Sequence, residues 1–97
     1  MTADEPVIRA HMIFSGVVQG VGFRRRAQRA AESLGCTGWV RNNRVGTVSM
    51  ELQGTEAQID QVIQVLKHAP YIRITDINTR LIPVDPRESA FVRKAEH

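Results

Sequence analysis

The hydrophobic pattern of this chain changes its period across a seven-residue segment with three glycines, Gly16 to Gly22. Before this segment, Ala10, Met12 and Phe14 alternate with their neighbours, a period of two that is typical of a strand. After it, apolar residues recur at helical spacing, and Gly35 follows as a helix stop. The helical positions are Phe23, Ala27, Ala30, Ala31 and Leu34. The chain is therefore predicted to open with a strand, a glycine loop and a helix.

A strand pair and a second helix are predicted next. Residues 36–42 and 48–53 have strand patterns on either side of a turn, and we expect them to pair as an antiparallel hairpin. Thr55 and Gln58 have the spacing of a capping box, and Pro70 closes the helix that begins there. The inner stripe of this helix comprises Ile59, Val62, Ile63 and Leu66.

The last third of the chain adds strands. Residues 72–82 contain at least one, but the apolar phase slips between Ile74 and Ile77, so we expect a bend or a loop before the strand proper. Residues 90–93 form a short candidate last strand. The order β-α-β-β-α-β with a short extra C-terminal strand predicts an α+β fold, a two-layer ferredoxin-like sandwich with a mostly antiparallel sheet. That architecture supports many functions, so fold alone does not decide this one.

Length and composition limit the class of protein. The 97 residues are enough for one domain, and we expect a flexible tail at 1–9 and a single domain at 10–97. Cys36 is the only cysteine, which excludes an intrachain disulfide and fits a buried thiol in a reducing, cytoplasmic location. No apolar run approaches the roughly 20 residues that span a bilayer, and the N-terminus lacks a secretory signal pattern.

The charge balance is basic and rich in arginine. Thirteen Lys and Arg against ten Asp and Glu give a formal charge of +3. This charge balance favours binding of a phosphorylated small molecule or a nucleic acid, but it also occurs in proteins whose positive charge binds no partner. An RNA-binding module is disfavoured because the strand at 47–53 has no aromatic stacking pair and only 5% of residues are aromatic. We therefore expect no nucleic-acid partner.

The glycine loop is the strongest candidate for chemistry. Three glycines allow a tight turn that presents successive N–H groups to one point, and the helix N-terminus adds its positive end. Arg24 lies in the first helical turn, where a cation is mildly unfavourable, yet its guanidinium fits phosphate or carboxylate oxygens. The alternative is a tight turn followed by a solvated arginine. The spacing matches neither common nucleotide-binding glycine motif.

A second candidate is Asn42, at the end of the second predicted strand. Its amide either caps the turn or offers an acceptor and a donor to a water and a substrate oxygen. Thr47 is a candidate to support Asn42 by a hydrogen bond, and Trp39 is expected to pack in the core or on a sheet face. The three histidines are far apart in sequence, so no metal site is predicted; they are His11, His68 and His97.

Two segments resemble the signatures of the acylphosphatase family, small enzymes that hydrolyse the carboxyl–phosphate bond of acyl phosphates. The first is Gly16-Val17-Val18-Gln19-Gly20-Val21-Gly22-Phe23-Arg24. The second is Gly38-Trp39-Val40-Arg41-Asn42, followed by Gly46-Thr47-Val48 and then Gly54. The resemblance covers about residues 10–92. Arg25, which follows the matched arginine, departs from the family because many members have an aromatic residue there.

The resemblance implies a role for each matched position. The phosphate cradle would comprise Val17, Val18, Gln19, Gly20, Val21 and Gly22. Arg24 would bind the phosphoryl oxygens and Asn42 would position the attacking water. It implies a small-molecule acyl phosphate substrate, with no metal or other cofactor. We also expect no membrane partner and a monomeric chain. A remaining alternative is an acylphosphatase-like domain of a larger hydrogenase maturation factor.

Overall fold

The computed structural model describes residues 5–97. Five strands and two helices alternate in the predicted order, which confirms the β-α-β-β-α-β pattern and the short extra strand. They are β1 (Ile8–Val17), α1 (Phe23–Leu34), β2 (Thr37–Asn42), β3 (Val48–Gly54), α2 (Glu56–Lys67), β4 (Arg73–Ile82) and β5 (Phe91–Lys94). None of the helices formed by the described residues is both long and apolar enough to cross a membrane.

The sheet has the strand order β4-β1-β3-β2-β5. Neighbouring strands are antiparallel except for β2 and β5, which are parallel, so the predicted mostly antiparallel sheet and the β2–β3 hairpin are confirmed. Strands β1 and β2 both run antiparallel to β3 and hence parallel to each other. Phe14 of β1 and Asn42 of β2 both pair with Val48 of β3. The carboxyl ends of β1 and β2 therefore lie at the same edge of the sheet.

The hydrophobic core lies between the sheet and the two helices. Ala10, Met12 and Phe14, every second residue along the first part of β1, point into it and are buried. Phe14 at the end of this row packs edge to face against Phe23, with ring centroids 5.0 Å apart, a favourable aromatic geometry. Because Phe23 is the first residue of α1, this contact fixes the start of the helix against β1. Both ends of the intervening loop are thus held by the core.

The N-terminal boundary differs from the prediction. Strand β1 begins at Ile8, so Ile8 and Arg9 belong to the sheet and not to the tail expected at 1–9. Residues 1–4 of that tail lie outside the described residues. Arg9 is only 6% exposed because Glu51 and Glu88 neutralise it, with N–O distances of 3.0 and 2.6 Å. An arginine is ordinarily a surface residue, and these partners are too distant in sequence for a local pattern to reveal.

The expected bend before the fourth strand is wrong. Strand β4 is continuous from Arg73, and the phase slip has another cause. Ser15 of β1 pairs with Asp76, whereas the next residue, Gly16, pairs with Ile74. Strand β4 therefore has one extra residue, Thr75, which forms a β-bulge and shifts the side-chain alternation by one position.

The sheet face opposite the helices has a polar network. His11 contacts Glu51 at 2.7 Å, beside the Arg9 pair. Burial alone would raise the pKa of Glu51, but hydrogen bonds from His11 and Arg9 and their charges hold it below the ordinary glutamate value. Trp39 packs on this face near His11, as predicted. Cys36 is a buried thiol, as predicted, and burial raises its pKa to about 11.

Candidate active site

The loop between β1 and α1 uses backbone conformations that favour glycine. Gly20 has a φ of 74° and Gly22 a φ of 80°, both in the left-handed region. A Cβ atom at either position would meet nothing within 4 Å. The requirement for glycine is thus conformational and not steric. Gly22 is also the N-cap of α1, and it has no side chain to satisfy the amides of the first turn.

A run of backbone amides at this loop lacks a hydrogen-bond acceptor among the residues that the structure describes. None of the eight N–H groups from Val18 to Arg25 donates to an acceptor in residues 5–97. The first that does is Arg26 N, which donates to Gly22 O at 3.0 Å. Buried or half-buried amides are ordinarily paired, and unpaired amides at a glycine turn and a helix N-terminus are a common anion-binding arrangement.

A small cavity brings this loop together with both predicted polar residues. Its volume is about 210 Å³, and Gly20, Gly22, Arg24 and Asn42 all contribute to its lining. The side chains of Arg24 and Asn42 have no hydrogen-bond partner in the described part of the chain, and no buried side-chain N or O there is left unpaired. The guanidinium and the amide are therefore open to a ligand that enters the cavity.

Every charged residue that lines the cavity is basic. Besides Arg24, the lining includes Arg25 of α1 and Arg93 of β5, and it includes no carboxylate of residues 5–97. Sequence analysis noted Arg25 only as a departure from the family pattern and gave Arg93 no role. Arg93 reaches the site because β5 pairs in parallel with β2, a pairing that no sequence signal marks. The positive charge of the lining and the loop amides together favour an anion.

Asn42 is held in place through its backbone. It is the last residue of β2, and its carbonyl accepts a hydrogen bond of 3.0 Å from His97 N. Thr47 does not support Asn42 by a hydrogen bond as expected. Thr47 Oγ1 instead accepts from Asn43 Nδ2 at 2.9 Å. Successive residues of a strand point to opposite faces. The side chain of Asn43 therefore points to the sheet face opposite the helices, where its Nδ2 donates to Ser49 Oγ. Thr47, the other partner of Asn43, lies on the same face.

The residues predicted to form the phosphate cradle do not all line the small cavity. Val18 is buried and lines the small cavity together with Gly20 and Gly22. Val17 is instead a sheet residue paired with Arg73, and Val21 lines a neighbouring, larger groove.

Gln19 ties the loop to the β2–β3 turn. Its Nε2 donates to Asn43 O at 2.7 Å and to Thr47 O at 2.8 Å. These two bonds hold the loop beside the residue that follows Asn42. Gln19 is therefore a positioning residue through its side chain, a role that sequence analysis did not separate from the loop amides.

Comparisons with known proteins settle the family. A family model described as Acylphosphatase matches residues 10–93. The chain belongs to the acylphosphatase family. The acylphosphatase of Bordetella parapertussis is 44% identical over 68 residues, which are 70% of this chain and 72% of that protein.

Solved structures agree with this assignment. The acylphosphatase from Bacillus subtilis superposes with a TM-score of 0.82 at 28% identity, over 90% of this chain and 98% of that one. Full-length HypF, solved with phosphate and nucleotide bound, matches with a TM-score of 0.82 at 26% identity, over 95% of this chain but only 12% of HypF. The predicted resemblance is confirmed, and the chain is an acylphosphatase-type enzyme that acts on acyl phosphates.

Donor groups for a metal ion are not clustered in the part of the chain that the structure describes. Within residues 5–97, no group of three or more His, Cys, Asp or Glu side chains is placed to hold a metal ion. The polar groups available at the cavity are backbone amides, guanidiniums and one carboxamide. This set can bind and orient an anion and a water molecule.

Proposed function

We propose that the chain hydrolyses acyl phosphates to a carboxylate and inorganic phosphate without a metal, at the cavity lined by the loop, Arg24 and Asn42. The observation that carries this proposal is that these three components line one small cavity, with their donor groups unpaired among the described residues. The match to the acylphosphatase family supports the reaction.

The loop amides and Arg24 hold the phosphoryl group. An acyl phosphate has a dianionic phosphoryl group and a good carboxylate leaving group, so its hydrolysis needs charge stabilisation and in-line positioning more than covalent help. Preorganised amides from Val18 onward and the Arg24 guanidinium supply fixed positive charge where negative charge develops. Arg25 and Arg93 add to that potential from the same lining.

Asn42 positions the attacking water. Its side-chain carbonyl accepts from the water and its NH₂ donates to a phosphoryl oxygen, which places the water in line with the bond that breaks. The water oxygen bonds to phosphorus as the bond from phosphorus to the acyl oxygen breaks. The carboxylate leaves with the electron pair of that bond, and a phosphoryl oxygen takes the proton of the water.

The test is hydrolysis of benzoyl phosphate by the full chain in EDTA. Arg24→Ala is expected to lose both binding and turnover, by about 100-fold or more in kcat/KM. Arg80→Ala, on β4 and away from the cavity, is the matched control and is expected to keep activity. A strong loss of wild-type activity in EDTA that a divalent metal restores would contradict the metal-free scheme.

The role of Asn42 is tested separately. Asn42→Ala is expected to lower kcat while the inhibition constant of inorganic phosphate changes little, because the loop and Arg24 still bind the anion. If phosphate affinity falls as much as turnover does, Asn42 binds phosphate and does not position water.

We also propose that the chain acts as a monomer in the cytoplasm and binds no nucleic acid. A buried, unpaired Cys36 supports a reducing compartment. Light scattering on the purified chain is expected to give the monomer mass. A salt-dependent RNA affinity that Arg24→Ala leaves unchanged would contradict the absence of a nucleic-acid partner.

A further inference from the structure

A second, larger groove opens directly from the candidate active site. Its volume is about 930 Å³, and it shares Gly20, Gly22 and Arg25 with the small cavity. From there it runs between α1 and α2, where Arg26 lies on one side and Val65 on the other. A volume of this size is typical of a pocket for a small-molecule ligand. A substrate whose phosphoryl group occupies the small cavity would extend into this groove.

The charged rim of the groove consists of arginines alone. Arg25, Arg26 and Arg29 line it, and no carboxylate of the described residues does. None of the three belongs to an ion pair of the described residues, all of which involve Arg9 or His11. Arg25 and Arg29 are four residues apart and Arg26 and Arg29 are three apart on one helix, so each pair is repulsive. An anion bound between them would relieve this repulsion.

The floor of the groove is apolar. Ala30 and Leu34 of α1 and Val65 of α2 form it, and Val65 is 45% exposed. Tyr71 stands at its edge with 82% of its surface exposed. Its φ of 72° is the only positive value among the non-glycine residues at 5–97, a conformation with a cost in strain. This surface offers contact to an apolar or aromatic acyl group.

We propose that this groove binds the acyl part of the substrate and selects acyl phosphates whose apolar acyl group has a second anionic group, held by Arg26 and Arg29. A guanidinium fork fits a carboxylate and a phosphate-type group equally well, so the shared chemistry is an anion at the far end of an apolar body. The inference rests on the proposed function, because it places the phosphoryl group in the small cavity. Arg25 then lies at the junction of the two subsites.

The test compares matched substrates with a rigid aromatic ring. The kcat/KM values are measured for 4-methylbenzoyl, 4-carboxybenzoyl and 4-phosphonobenzoyl phosphate, whose rings prevent the distal group from attacking the anhydride. The wild-type chain is expected to prefer the two anionic substrates. Arg26→Gln with Arg29→Gln is expected to lower kcat/KM for these by about tenfold and for the methyl substrate by less than twofold. The anionic substrate that loses more identifies the second group as carboxylate or phosphate-type.

The control removes the same charge elsewhere. Arg80→Gln with Arg87→Gln changes the net charge equally, at exposed positions outside the groove. Arg80 pairs with His11 in the sheet register, on the face opposite the helices. This variant is expected to keep the wild-type substrate preference, which separates local binding from long-range steering by net charge.

Tyr71→Ala tests the apolar part of the groove. It is expected to raise KM for all three aromatic substrates by about threefold relative to acetyl phosphate, whose acyl group is too small to reach the ring. An equal change for acetyl phosphate would contradict the placement of the acyl group in this groove.

Two further results would overturn the inference. One is a wild-type chain without preference for the anionic substrates, and the other is an equal loss for the methyl and anionic substrates in the Arg26 and Arg29 double variant. Both are distinct from a failure of the proposed function, which would appear as undiminished hydrolysis of all three substrates by Arg24→Ala.

Discussion

The two helices have the same length but differ in how their N-termini are capped. Helix α2 has 12 residues with a complete capping box, Glu56 in the first turn and Lys67 in the last. Each of these features satisfies free amides or complements the helix dipole. Thr55 Oγ1 accepts from Gln58 N, and Gln58 Oε1 accepts in return from Thr55 N.

Helix α1 also has 12 residues but none of these features at its start. Its cap is Gly22, without a side-chain hydrogen bond, and its first turn has no acidic residue. Arg24, Arg25 and Arg26 follow instead, where cations oppose the helix dipole. The difference teaches that the start of α2 has the features that stabilise a helix, whereas the start of α1 has amides and charges without partners in residues 5–97, as the proposed anion site requires.

The largest effect is expected at Arg24, where function and stability should separate. Arg24→Gln should lower kcat/KM for benzoyl phosphate by about 100- to 1,000-fold, because the variant lacks a guanidinium that the proposed mechanism uses to bind the phosphoryl oxygens. The free energy of unfolding should stay equal or rise by about 0.5 kcal/mol, since a cation leaves a helix N-terminus. Steady-state kinetics and urea unfolding on the same samples measure both. A large loss of stability would show that Arg24 stabilises the fold, which would contradict the contrast between the starts of the two helices.

Acid sensitivity should arise in neither helix but in Glu51 of β3. Because its folded pKa is lowered, its contribution is complete above the unfolded pKa of about 4.3 and is lost as the pH falls through the lower, folded value. Glu51→Gln should lower the free energy of unfolding by about 2 kcal/mol at pH 7, and this difference should shrink toward pH 3. Urea unfolding at both pH values measures it.

Asp60→Asn, at an exposed position of α2, is the control for loss of one carboxylate and should change little. A difference between Glu51→Gln and the wild type that stays constant from pH 7 to pH 3 would show that the pairs with Arg9 and His11 do not depend on the charge of Glu51.

The capping box of α2 should affect stability alone. Thr55→Ala removes the acceptor of Gln58 N and should lower the free energy of unfolding by about 1 kcal/mol, or the melting temperature by about 4–8 °C. The kcat/KM for benzoyl phosphate should stay within twofold, because neither cavity is lined by this residue. Gln61→Ala, at an exposed position of the same helix, is the control. A loss of activity at unchanged stability would contradict the division of roles between the helices.

Short-range features of the fold could be predicted from sequence because their partners are close in the chain. The capping box needs only Thr55 and Gln58, three residues apart, and the structure contains both of its hydrogen bonds. The pair of Arg9 and Glu88 joins residues 79 positions apart, so nothing near Arg9 predicts its burial. Likewise, the phase slip in β4 was visible in sequence, but the bulge at Thr75 depends on the pairing with β1.

The residues of the candidate site likewise fall into those that could be predicted from sequence and those that could not. Arg24 and Asn42 were predicted because each lies in a motif that resembles a family signature, and the cavity brings them together. Their roles stay predictions. Gln19 binds backbone carbonyls, which every residue offers, so its role as a tether has no sequence mark. Arg93 enters the site through a parallel strand pair formed by a four-residue strand, which a local pattern cannot place.

An exchange of charges between the two helix starts should change stability only slightly but should affect activity at one start alone. Arg25→Glu places an acid in the first turn of α1 and turns the repulsion with Arg29 into attraction, so the free energy of unfolding should rise by about 0.5–1 kcal/mol. The same change puts a carboxylate at the cavity and should lower kcat/KM for benzoyl phosphate by about tenfold or more through repulsion of the phosphoryl group.

Glu56→Arg, the reverse change on α2, should lower stability by a similar amount and leave kcat/KM within twofold. The double variant should have wild-type stability, because the two sites are independent, and the low activity of Arg25→Glu. A loss of stability in Arg25→Glu would mean that the arginines of α1 stabilise the fold, and the contrast between the helices would then have no functional meaning.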